Sequence, residues 1–376
     1  MMEKTAIAES ELIRICRREV TPDLRTLARL SLLDWLGCIL AARDTPVAHA
    51  WARTLAPHEG DIVRKALSSN RMDAQGAALA LGGLGNVLEM DDLHRASILH
   101  PGDTICAAAL AVALRRPTSG AALLSAIVRG YEIATRIGTA VATGGYTPFY
   151  NSGTCGVFGA AMAAADLLRL GPEPMADALG QAGMQAAGIW QCRLEPTFSK
   201  QLATAHAARA GVLSAELGAA GFPGARAILT GEMGFFNSYY PSADTSALTA
   251  QAPWAITAMS YKPFPACRHT HPAISAALAL RDRVSEPIQR VDIHTYRAAL
   301  DFCDNAEPKT ADQARFSLQH TVSVALDKGT PEISDFDPPT LQSGQLRELR
   351  GRVHLHTDPD FDSAFPAQYG ARIVVT

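Results

Sequence analysis

The chain has 376 residues, of which 48% are hydrophobic and 19% charged, with a formal net charge of -3 and a sequence pI near 6.4. Such a length allows a large core and more than one domain, and the composition is that of a globular chain rather than a disordered one. The weak negative charge argues against nucleic acid or an anionic membrane as partner, so an anionic substrate would need a local basic site.

The stretch from Met1 to Glu11 is polar and mixed in charge, with no apolar signal-peptide core. The run Ile105–Leu114 is closed at once by Arg115 and Arg116, far short of the roughly 20 residues of a spanning helix. A cytoplasmic protein with no membrane partner is expected. The cysteines Cys16, Cys38, Cys106, Cys155, Cys192, Cys267 and Cys303 are widely spaced and contain no C-x-x-C pair. That pattern argues against a disulfide framework, a thiolate metal cage and an iron–sulfur cluster, and no metal or cofactor is expected.

In chain order, Thr21-Pro22-Asp23 offers a capping hydroxyl and a first-turn proline. Leu27, Leu30, Leu33, Leu36, Ile39 and Leu40, widened by Leu32 and Trp35, then mark the apolar face of a helix reaching Ala42. Alanine- and leucine-rich helices follow over Ala74–Met90, Thr104–Arg115, Thr118–Val141, Val157–Leu170, Pro174–Gly188 and Ser199–Leu217. Small residues crowd Gly156–Ala161 and Ala205–Ala210, which points to close helix packing. Near residue 252 the texture changes: prolines appear at 253, 263, 265 and 272, and alternating β-like runs at Val291–Tyr296 and Val353–His356, with Ile373–Thr376 apolar and β-branched. Helical pattern persists over Pro272–Arg283 and Ala311–Lys328. The expected fold is mainly α: a large all-helical domain over 1–252 and a smaller α+β domain over 253–376.

Three clusters gather polar groups at element ends. Glu89–His94 with His100–Asp103 combines carboxylates and two histidines, suited to proton transfer, although a solvated loop with helix caps reads equally from residue type alone. Ser199-Lys200 opens a helix. Tyr261–Pro272 carries Lys262, Arg268, His269 and His271 among three prolines, a stiff turn suited to carboxylate capture by Arg268.

At these residues the chain resembles the MmgE/PrpD family. Glu89–His94 with His100-Pro101-Gly102 is similar to its D-x-D-D-T-H…H-P-G signature, Phe149–Ala161 to F-H-x-T-x-x-x-G-x-F-G-A-A, and Lys262–Pro272 to K-P-x-P-x-C-x-x-T-H-P. Ser199-Lys200 resembles the lysine-containing helix start, and Ala314–Gln319 the A-K/R-F-S-x-Q helix. The resemblance implies a homodimeric, metal-free enzyme with an α+β lid domain, a cleft between the domains and a small di- or tricarboxylate substrate. It also implies further sheet and a final helix after the strand at Thr376, so this C-terminus is shorter than usual. Family activities include 2-methylcitrate dehydration, cis-aconitate decarboxylation and iminodisuccinate epimerisation. All make or break a bond beside a carboxylate, where loss of a proton builds charge that fixed cations stabilise.

Carried over residue by residue, the resemblance implies His100, Lys200, Lys262, Tyr150 and Asp91 as catalytic, and Asp92, His94, Arg268, Cys267 and His271 as substrate-binding. Leu93 replaces the signature threonine, Tyr150 and Ala203 stand at histidine positions, Cys267 replaces the histidine of decarboxylases, and Phe302 falls near one of their tyrosines. These departures turn the expectation away from decarboxylation and from methylcitrate dehydration proper and leave a changed substrate or a two-base isomerisation open, while the shared family chemistry makes a dehydratase of a hydroxylated di- or tricarboxylate the first expectation. Alternatives are a two-base epimerase or isomerase, with Tyr150 or His100 as one base, and a non-catalytic polycarboxylate-binding protein.

Overall fold

The computed structural model describes residues 2–55, 60–142, 146–195, 197–284 and 287–376. The chain divides into two compact units. One comprises the residues up to Val87 together with Asp91–Tyr261, and the other Leu88–Met90 with Lys262–Thr376.

The first unit is built from α1 (Met2–Cys16), α2 (Pro22–Ala41), α3 (Pro46–Leu55), α4 (Ile62–Leu67), α5 (Ala74–Gly82), α6 (Pro101–Ala113), α7 (Gly120–Ala142), α8 (Asn151–Thr154), α9 (Gly156–Leu167), α10 (Pro172–Gly183), α11 (Gln191–Leu194), α12 (Ser199–Ala219) and α13 (Phe235–Tyr239). It is not wholly helical. β1 (Leu93–His94) pairs antiparallel with β2 (Met259–Ser260).

The N-terminus of α2 forms where expected, with Thr21 as N-cap accepting from the Leu24 amide and Pro22 in the first turn. Its buried face differs from the leucine stripe read from the sequence. Leu24, Ala28, Ser31, Trp35, Cys38 and Ile39 turn inward, whereas Leu30, Leu33 and Leu40 are exposed. The Ser31 hydroxyl lies 2.9 Å from that of Tyr261, a long-range contact that sets the rotation of the helix.

α6, α7, α9 and α12 form the centre, and α6 and α9 are buried almost all round. Small residues make this possible. A Cβ on Gly159 of α9 would sit 2.6 Å from the Gly130 carbonyl oxygen of α7, and one on Gly211 of α12 would sit 2.4 Å from Ala160 Cβ. The helix expected over Ala74–Met90 ends at Gly82 because the chain tightens through Gly83 and Gly85. A Cβ there would meet Trp51 at 2.5 Å and the Asp103 carboxyl at 2.0 Å, respectively.

In the second unit β3 (Val291–Thr295) is central, parallel to β4 (Val353–Thr357) and antiparallel to β5 (Ala371–Val375). The alternation in β3 buries Val291, Ile293 and Thr295. Their core includes Ala273, Ile274 and Ala277 of α14 (His271–Arg281), Cys303 of α15 (Arg297–Cys303), Ala314 of α16 (Ala311–Arg315) and Val322 and Ala325 of α17 (Leu318–Asp327). The helix expected over Ala311–Lys328 is broken in two, because Ser317 caps α17 through the His320 amide and donates to the Asn305 carbonyl. Short helices α18 (Pro338–Leu341), α19 (Gly344–Gly351) and α20 (Pro359–Ala364) complete the unit. Among the described residues, no helix is long and apolar enough to cross a membrane.

The glycine crossings carry a direct test. Gly159→Ala is expected to cost about 1–3 kcal/mol by overpacking, whereas Gly37→Ala, in α2 with nothing within 4 Å of its Cβ position, should stabilise by roughly 0.5–1 kcal/mol. Urea midpoints of both variants check the assignment, and equal effects would contradict it.

Candidate active site

The loop after α5 is pinned before it reaches α6. His94 and Leu99 exchange backbone hydrogen bonds of 2.9 and 3.3 Å, closing a tight turn in which Ile98 has φ 49°. His94 Nδ1 lies 2.9 Å from Ser97 Oγ, and Asn151 Nδ2 donates to the Ser97 carbonyl. His100 then occupies the N-cap position of α6, where Pro101 lacks the amide proton that the first turn would leave unpaired. The His100 amide donates to Ser152 Oγ at 3.0 Å.

This geometry brings His100 Nδ1 to 2.7 Å from Asp91 Oδ2. Asp91 is fully buried, while the His100 side chain keeps 15% of its surface. The pair meets at ion-pair distance rather than in hydrogen-bond geometry, and the negative charge beside Nδ1 favours the proton there and leaves the Nε2 lone pair as a base. Asp92 accepts from the Gly102 amide at 3.0 Å and from the Tyr131 hydroxyl at 2.7 Å. Burial outweighs both donors and pushes its carboxyl up to about 7. Asp103, also fully buried, neighbours Asp91, and burial followed by the Asp91 charge holds it well above the ordinary carboxyl range.

Lys200, in the first turn of α12 and 9% exposed, faces this group, its charge acting on Asp103 and on Tyr150. The Tyr150 ring is buried, 4.5 Å centroid to centroid from Trp190. Burial raises its hydroxyl above the usual phenol range, against the opposing charge of Lys200. Of the residues singled out by resemblance, Asp91, His100, Tyr150 and Lys200 therefore gather around Asp103. Asp92 is engaged with Tyr131 and Gly102, and His94 is buried against Ser97, its imidazole lowered to about 4 by burial and then by Arg95.

The second unit holds the others. Lys262 Nζ is 3.3 Å from Glu89 Oε2, both side chains almost wholly buried, and Glu89 is held at φ 54°. Cys267 is buried beside Cys303. Burial pushes its thiol up, but the Cys303 contact, the His269 amide and Lys262 together bring it below the usual range. His271, in the first turn of α14, has Nε2 3.0 Å from the Ala266 carbonyl, and burial followed by Lys262 lowers it to about 3. The Arg268 guanidinium lies 5.7 Å from the Tyr369 ring centroid.

Tyr131 belongs to these clusters without a sequence signal, whereas Glu89 and Asp103 lie in the polar cluster read from the sequence but receive no individual role there. Asp103 offers a signal, three residues beyond His100 at the start of a helix, that reads equally as a favourable helix-dipole charge. Among the described residues, no group of three or more His, Cys, Asp or Glu is placed to hold a metal ion.

The raised Asp92 carboxyl gives a definite sign to the pH dependence. Between the ordinary carboxyl range and about pH 7 the folded state holds a proton that the unfolded chain has lost, so this group's contribution to stability falls as pH rises through that window. His94 and His271 act oppositely: their contribution is present above about pH 6.5 and lost as pH falls towards 4 and 3. Asp92→Asn should gain stability relative to wild type between about pH 4 and pH 8, by up to a few kcal/mol, because each tenfold change in proton affinity is worth about 1.4 kcal/mol. Urea unfolding at both pH values measures the difference, and parallel pH slopes would refute it.

Comparison with known proteins matches both halves of this architecture. Residues 14–247 match the MmgE/PrpD N-terminal domain and residues 264–376 the MmgE/PrpD C-terminal domain. The chain is 26% identical to a cis-aconitate decarboxylase-like protein, oryM, of Aspergillus oryzae, over 95% of this chain and 80% of that protein. It is 24% identical to a cis-aconitate decarboxylase of Aspergillus terreus, over 92% of this chain and 76% of that enzyme. It is 26% identical to human cis-aconitate decarboxylase, over 90% and 73% respectively. With both domains matched in order over most of its length and enzymes among its relatives, the chain belongs to the MmgE/PrpD family of lyase-like enzymes.

Proposed function

We propose that this protein is a dehydratase that removes the proton beside a carboxylate of a small di- or tricarboxylic acid and expels a hydroxyl group from the neighbouring carbon. The observation that carries the reading is the 2.7 Å approach of His100 Nδ1 to buried Asp91, which orients a base with Nε2 as its working atom. Lys200, nearly buried and facing the same cluster, supplies positive charge for the enolate that proton loss creates. Tyr150, held as a neutral phenol by burial, is a proton donor suited to the departing hydroxide. The proton taken by His100 and the proton given by Tyr150 balance the elimination of one water.

A second reading, loss of carbon dioxide instead of water, is favoured by the names of the relatives, several of which are cis-aconitate decarboxylases. Cys267, which replaces the decarboxylase histidine, weighs against that second reading.

Incubation in D2O with citrate, 2-methylcitrate, cis-aconitate and aspartate-derived diacids, followed by NMR, separates the outcomes. Loss of a hydroxyl with a new alkene signal is expected. Release of carbon dioxide would establish the second reading, deuterium incorporation alone would indicate epimerisation, and binding without exchange a non-catalytic protein. On the substrate so found, His100→Asn should lower kcat by about 10²–10⁴, the usual worth of a positioned base. Lys200→Met and Lys262→Met should also lower turnover sharply. Full activity in all three variants would rule out the assignment.

A further inference from the structure

The Asp91–His100 pair has a third member. Asp103 is fully buried, as is Asp91, and the two carboxyl groups are neighbours whose charges act on each other. Among the described residues, no protein N–H or O–H donates to either oxygen of Asp103. A buried carboxylate without a single donor is strongly disfavoured, and two anions in contact inside a protein repel, so such pairs retain a proton.

The surroundings point the same way. Asp92 adds further negative charge from the loop, and burial with the two neighbouring carboxylates outweighs the opposing charge of Lys200 of α12. The Gly85 backbone closes the remaining side, since a Cβ there would lie 2.0 Å from Asp103 Oδ1 and 2.7 Å from Trp35 Nε1. A protonated Asp103 therefore has Asp91 as its neighbouring acceptor, and Asp91 in turn faces His100 Nδ1.

We propose that Asp103 is a positioning residue. Its carboxyl keeps a proton and donates it to Asp91, so that the pair presents one negative charge to His100 and leaves Nε2 able to accept a proton from substrate. This rests on His100 being the base, as proposed above. With both carboxyls ionised, the doubled charge would hold His100 as imidazolium before substrate arrived. With this donor removed, Asp91 would lose one of the groups that draw on its charge, and His100 would again be more easily protonated. Asparagine at 103 keeps a donor towards Asp91 but cannot ionise. Leucine keeps bulk but donates nothing.

The test is a titration of His100 by NMR in histidine-labelled protein without substrate, its signals identified by their loss in His100→Asn. The His100 pKa in Asp103→Asn is expected to stay close to wild type, whereas Asp103→Leu should raise it by about one pH unit or more, as a stronger neighbouring negative charge does. Equal His100 titrations in Asp103→Asn and Asp103→Leu would overturn the proposal. Should Asp103→Leu fail to fold, infrared spectroscopy of wild type against Asp103→Asn at about pH 8, above the Asp92 titration, decides alone. The difference spectrum must contain a protonated-carboxyl C=O band that shifts in D2O. Loss of only ionised-carboxylate bands would overturn the proposal. Neither readout needs turnover, so a shifted His100 in a protein inert towards every diacid would sink the proposed function and leave the role of Asp103 standing. Turnover with an indifferent His100 would do the reverse.

Discussion

Three carboxyl groups, Asp91, Asp92 and Asp103, lie at or below 1% exposure around the first turn of α6, and the interior accepts them only because each is neutralised differently. Asp92 has a phenol and a first-turn amide. Asp91 has an imidazole. Asp103 has an up-shifted carboxyl beside Asp91. Close helix packing and buried acid–base chemistry are thus one constraint here: Gly85 and Gly102 bring backbone to the carboxyl oxygens where any Cβ would collide with them.

The second unit solves a related problem with a different device. Lys262 and Glu89 form a buried ion pair, an arrangement in which removing either partner abandons a charge in a low-dielectric interior. The proline-broken segment that follows Lys262 turns His271 inward, where a backbone carbonyl satisfies it, and places Cys267 beside Cys303. Arg268 remains half-exposed near the Tyr369 ring. Within this segment Arg268 is the most accessible cation.

Local pattern reveals the elements more readily than their orientation. Alternation locates β3 and β4 to within one residue, because side-chain period follows directly from a half-buried sheet, and apolar β-branched character locates β5 to within two. Leucine spacing locates α2 but misassigns its buried face, since the inward rotation depends on Trp35 and on Ser31 meeting Tyr261, 230 residues away. The break at Phe316-Ser317 hides within a helical pattern because a serine signals a cap only once Asn305 is there to receive its hydroxyl. The same division holds for the cluster around α6. His100, Asp91, Tyr150 and Lys200 are accessible through motif resemblance. Asp103 resembles an ordinary first-turn acid and Tyr131 an ordinary core aromatic within a long apolar helix, and only tertiary contact distinguishes them.

Glu89 joins two demands that pull in different directions. Its backbone adopts a left-handed conformation that a glycine would occupy without strain, yet its carboxylate is the partner of a buried lysine. Glycine at this position would relax the main chain and orphan Lys262, whereas a residue retaining the charge must keep the unfavourable φ. Attempts to raise thermostability by consensus or backbone-relaxing substitution will meet this opposition here, and a chain that kept glutamate would be accepting permanent conformational tension in exchange for a charge pair.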